Sequence, residues 1–112
     1  MGGGSPAFTA VHTQSPATTA YFGGQVTGGL DDRFDFQLVT GGLLDGRGMD
    51  CLTNSYWAFG NTNTHTMKGA VTTGSAAALA AVLPGYTTTQ AASVLTSLSQ
   101  VTDHLPVVAD YQ

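Results

Sequence analysis

The chain has 112 residues, a formal charge of −4 and only 9 % charged residues, so it is one modest domain. Arg33, Arg47 and Lys68 are the only bases, too few for the many phosphate contacts of a sequence-independent grip on nucleic acid. The lone Cys51 excludes an internal disulfide and any multi-cysteine metal knuckle, and no apolar run is long enough to span a membrane. All seven acids are Asp, and Ala, Thr, Ser and Gly supply the surface, which suits a secreted or periplasmic bacterial protein or a piece of a larger body.

Met1-Gly2-Gly3-Gly4-Ser5 reads as a flexible or engineered start, so the natural N-terminus is expected elsewhere. Residues 1–30 form a Gly/Ser/Thr-rich tract without periodicity, expected to drape over a body. Residues 31–112 form the domain proper. Phe34, Phe36 and Leu38 alternate with Arg33, Asp35 and Gln37, which predicts a strand with one apolar face. Gly41-Gly42 and Asp45-Gly46 break it. Residues 49–59 read as a second, aromatic-rich strand in which Cys51 is a buried thiol, and 61–66 read as a polar loop.

Ser75 to Leu83 is Ala-rich and predicted helical, ended by Pro84-Gly85. Thr87 and Gln90 have capping-box spacing, and Ala91, Val94, Leu95, Leu98 and Val101 then make one apolar stripe. Leu105 to Tyr111 reads as the final strand. The order loop, strand, strand, helix, helix, strand predicts an α/β (α+β) chain, a small mixed sheet with helices on one face.

The segment Thr102-Asp103-His104-Leu105-Pro106-Val107-Val108 places an acid and a histidine where a strand begins. Arg33-Phe34-Asp35-Phe36 supplies a second acid on an earlier strand. Read alone, Asp103 caps a helix-to-strand turn, His104 is a satisfied surface group, and Asp35 pairs with Arg33 or a neighbouring backbone. In combination the two segments resemble the endonuclease/exonuclease/phosphatase superfamily, the fold of deoxyribonuclease I. His12-Thr13-Gln14-Ser15-Pro16 and Ala58-Phe59-Gly60-Asn61 also look like stretches of its secreted bacterial members.

The resemblance covers the C-terminal half of that fold. It implies half of a four-layer α/β sandwich with one sheet face bare, and pairing sheet to sheet, as a homodimer or with a complementary half domain. It implies metal-dependent hydrolysis of a phosphoester. Asp35 would orient His104, His104 would meet the scissile phosphate as acid/base or transition-state stabiliser, and Asp103 would help hold Mg²⁺ (or Mn²⁺/Ca²⁺) or its water. Arg33, Asn61 and His12 are further candidate substrate contacts.

Departures from the family pattern are specific. The metal-binding Glu of the family's N-terminal half, its Gly-Asp-Phe-Asn motif and its other histidine have no counterpart here. Thr102 stands for the usual Ser and keeps the hydroxyl. Because residues that act as a unit fail together, the sequence leaves two outcomes: a hydrolase with a truncated or dimer-completed site, or a non-catalytic fragment or interaction module. A surface-binding β domain has only the low charge and the Thr/Asn loops behind it.

Overall fold

The computed structural model describes residues 6–112; the Gly-rich start, and the expectation attached to it, lie outside them. The chain is a small α+β domain with two helices and a two-stranded antiparallel sheet. α1 spans Ala76–Val82, α2 spans Thr88–Val101, β1 is Trp57–Ala58 and β2 is Val107–Val108. Single 3₁₀ turns lie at Pro6–Val11, Gly41–Leu43 and Val71–Thr73.

Both helices form where local chemistry dictates. Ser75 caps α1 by accepting from the Ala78 amide. Thr87 and Gln90 close the predicted capping box on α2 from both sides. Ala91, Leu95 and Leu98 of the stripe are buried, whereas Val101 at its end is 71 % exposed. The last turn of α2 is finished by a residue distant in sequence. Gln25 Nε2 donates to the carbonyls of Ser99 and Thr102, both at 2.9 Å, and its Oε1 accepts from the Tyr21 amide. A buried glutamine thereby satisfies carbonyls that a helix end leaves open.

The strands are much shorter than the sequence predicts. Trp57 pairs with Val108 and Ala58 with Val107, extended by one isolated bridge between Cys51 and Tyr111. The sheet is therefore antiparallel rather than mixed. Residues 33–40 are not part of a strand, and only Asp32 makes a bridge, to Gln14. The reason is partnership: the Phe34 and Asp35 amides bond to the Thr13 hydroxyl instead of to a neighbouring strand. The alternation survives with the apolar side outward, Phe34 being 56 % and Leu38 86 % exposed. Cys51 is half-buried and lies beside the Leu43 carbonyl that its amide bonds.

The core is Leu30, Ala58, Val71, Leu79, Ala91, Leu95, Leu98 and Leu105, with Trp57 and Phe59 packed on its edge. No aromatic side chain is fully buried in it. Two glycines mark close approaches. Gly60 has φ +92°, and a Cβ there would lie 2.4 Å from the Leu98 side chain. Gly29 has φ +85°, and a Cβ there would strike the Lys68 carbonyl, so residues 28–30 and 66–69 cross backbone to backbone. That crossing carries bonds between Leu30 and both Lys68 and Gly69.

Candidate functional site

α2 ends at Val101, and the chain turns over Thr102 and Asp103 into the segment that becomes β2. Thr102 fixes this turn: its hydroxyl donates to the His104 carbonyl at 2.8 Å and accepts from the His104 amide at 3.2 Å. A Ser-type hydroxyl at this position thus sets the backbone of the histidine. Leu105, the next residue, is buried in the core and donates its amide to the Thr13 carbonyl. His104 is therefore anchored on both sides, with its ring at the core's rim and about a third exposed.

The ring meets Asp35, 69 residues away in sequence. His104 Nδ1 and Asp35 Oδ2 are 2.6 Å apart, both side chains partly open to solvent. Asp35 is held in turn by its own amide bond to Thr13 and by the Tyr56 hydroxyl, which donates to its carbonyl. The ring of Phe34 lies 6.1 Å from that of His104 and shields one side of it. The other ring nitrogen, Nε2, is 2.8 Å from Gln14 Nε2. Gln14 lies within the His12–Pro16 stretch noted for its family likeness, but no sequence feature assigns it a role of its own.

Asp103 is half-exposed next to this pair, and its Oδ2 accepts only a long contact, 3.4 Å, from the Val26 amide. Its carboxylate keeps acceptor capacity to spare. A single carboxylate is a thin donor set for a divalent ion. Among the described residues no three His, Cys, Asp or Glu side chains come together in a way that would hold a metal. Asp31 pairs with Lys68 at 3.7 Å and is not offered to the dyad.

The three further candidates sit elsewhere in the network. Arg33 does not pair with Asp35. Its guanidinium lies over the rings of Phe36 and Tyr56, 5.4 Å and 5.6 Å from their centroids. Asn61 is buried; its amide donates to the carbonyls of Thr9 and His12 and its oxygen accepts from the Asn63 amide. His12 is fully buried with its ring 5.9 Å from that of His65. Asn61 and His12 thus serve the body of this chain and face no open cleft. A cleft of about 490 Å³ is lined by Asn54, Ser55, Trp57, Thr62, Ala78 and Val82. It has no titratable group and contains no residue of the dyad.

Chemically, the pair can shuttle one proton. A carboxylate only accepts, so the proton between Asp35 and His104 is donated by Nδ1, and Nε2 is the ring atom left to do acid/base work. No protein-family model, no curated protein and no solved structure matches this chain.

Proposed function

We propose that the chain is the C-terminal half of a phosphoester (phosphodiester) hydrolase of the endonuclease/exonuclease/phosphatase type. The observation that carries this reading is the 2.6 Å contact between Asp35 and His104. Two segments chosen for their likeness to one family's motifs meet at the atoms that this chemistry needs.

In this reading Asp35 holds the His104 ring by Nδ1, and Nε2 faces the phosphoryl group, giving or taking a proton as the oxygen–phosphorus bonds change. The Thr102 hydroxyl and the Leu105 amide keep the ring at the rim. Asp103 would supply one hard oxygen to Mg²⁺ (or Mn²⁺/Ca²⁺), which would provide charge neutralisation at the phosphoryl group, and the remaining ligands would come from a second copy or a complementary half. The exposed row Phe34, Phe36 and Leu38 supports such a partner, because apolar side chains in a contiguous row are a surface built to be covered. The half-sandwich architecture, with pairing face to face, belongs to the same proposal.

Purified chain with Mn²⁺ should hydrolyse bis(p-nitrophenyl) phosphate, and His104→Ala should lower the rate by about 10²-fold or more, the scale of a general acid/base. Turnover indifferent to both His104→Ala and a chelator would discard the reading. The alternative, a module that keeps the fold without the activity, is favoured by one observation, the lack of a three-ligand metal cluster among the described residues. It predicts no turnover in the wild type at any metal concentration.

A further inference from the structure

Gln14 lies on the one atom of His104 that the reaction would use. Its side-chain nitrogen is 2.8 Å from His104 Nε2. An amide NH₂ only donates, so the Nε2 that receives it is a bare lone pair. On the opposite side, Asp35 accepts from Nδ1 at 2.6 Å. One ring is thus clamped between a donor that accepts nothing and an acceptor that donates nothing. Only the neutral ring with its proton on Nδ1 satisfies both.

The clamp is built into the backbone. The Gln14 carbonyl accepts from the amides of Asp31 and Asp32, and the Gln14 amide donates to the Asp32 carbonyl. Thr13 beside it takes the amides of Phe34 and Asp35 on its hydroxyl and the Leu105 amide on its carbonyl. Thr13-Gln14 is therefore the spacer that sets the distance between the Asp35 segment and the His104 segment. The glutamine side chain leaves that spacer with its origin fixed.

We infer that Gln14 is a positioning residue that locks His104 in its Nδ1–H tautomer and caps Nε2 until the attacking water of the reaction displaces it. The inference rests on the phosphoester-hydrolase reading for the identity of the displacing group, but not for the lock itself. The O–H of that water donates to Nε2 in place of the Gln14 amide, and the freed amide donates to the water's oxygen. A protonated Nε2 would face the amide donor to donor, so the contact with Gln14 is made by a bare Nε2, the form able to accept a proton.

Carbethoxylation of His104 by diethyl pyrocarbonate, followed by mass spectrometry, reads the state of Nε2 without any substrate. The reagent attacks an unprotonated, uncapped imidazole nitrogen, and His12 and His65 are both buried. Gln14→Ala should accelerate labelling of His104 by roughly 2- to 12-fold, the range of one net hydrogen bond. The isosteric Gln14→Glu should slow it, because a carboxylate there accepts from Nε2–H and holds a second proton on the ring. Ring ¹⁵N shifts should show Nε2 bare in the wild type and protonated in Gln14→Glu at neutral pH. A merely structural role would move both variants the same way, with the backbone amide spectrum reporting any loss of fold. If either variant does not fold, the ¹⁵N shifts of the wild type still decide, since a protonated Nε2 there overturns the lock. Labelling equal in all three chains overturns it as well. Wild-type hydrolysis of bis(p-nitrophenyl) phosphate is scored separately. Opposite-signed labelling without hydrolysis removes the phosphoester reading and leaves the lock, and hydrolysis with unchanged labelling removes the lock alone.

Discussion

His12 and His65 face each other inside the molecule, their ring centroids 5.9 Å apart, and none of their four ring nitrogens has a hydrogen-bond partner. Burial pushes the His65 pKa down, the neighbouring His12 pushes it further, and a weak backbone interaction with Leu30 opposes both. The nearest charges in sequence are Asp31, Asp32 and Lys68, and the segments 6–11, 61–64 and 69–74 carry none. Burial and the neighbouring His12 outweigh the Leu30 backbone, so a proton on His65 is disfavoured in the folded chain. Because the folded value lies below the unfolded one, the unfolded chain takes up the proton first. Stability is then fully present above the ordinary histidine value of about 6.5 and drains as pH falls through the lowered folded value. Urea midpoints measured at pH 7.5 and at pH 5 should fall in the wild type and fall less in His65→Phe. Equal slopes in the two chains would remove His65 from the acid response. Gly29 makes a second prediction at this scale. Gly29→Ala places a methyl against the Lys68 carbonyl at positive φ, and should cost about 2 kcal/mol or more in denaturant unfolding.

At the scale of elements, the helices and the strands answer to different causes. Each helix carries its own instructions: a cap, a stripe and, after α1, Pro84-Gly85. The C-terminus of α2 is the exception, because its carbonyls are closed by Gln25 from a loop that looked featureless. Gln25→Ala leaves two carbonyls and the Tyr21 amide without partners. It should destabilise the chain by about 1–3 kcal/mol and loosen the turn that carries Asp103 and His104. Denaturant titration with amide exchange at residues 99–104 checks this, and exposed Gln100→Ala should stay within about 0.5 kcal/mol. Strand pairing joins positions some fifty residues apart, Trp57 to Val108 and Ala58 to Val107. An alternating pattern specifies which side of an extended segment is apolar; it does not supply the neighbour. Residues 33–40 show this plainly, since Phe34 and Leu38 lie exposed and the segment pairs with no strand.

The whole molecule is open for its size. Its radius of gyration is 14.7 Å, against about 13 Å for a compact chain of this length. Its core is built of leucine, valine and alanine, while Phe34, Phe36, Leu38, Tyr21 and Phe22 lie outside it. The proposed pairing would cover that outer apolar surface. Sedimentation should therefore show a dimer at tens of micromolar, and Phe34→Asp with Leu38→Asp should convert it to monomer without unfolding it. A wild type that stays monomeric at high concentration would leave the pairing proposal without support and the hydrolase reading dependent on a foreign half.

The sequence by itself determined the two helices with their caps, the sparse positive charge and the position of every chemically able side chain. Those features rest on contacts within four residues or on composition, and both are visible along a line. The Asp35–His104 meeting was legible only through likeness to a family, because nothing within either segment encodes a separation of 69 residues. Tertiary structure alone decided that Gln14 would cap the ring, that Gln25 would close α2, and that His12 and Asn61 would turn inward. These are polar side chains whose roles depend on what the fold brings to their tips, and a glutamine in a Thr/Ser-rich tract looks the same whether it faces water or an imidazole.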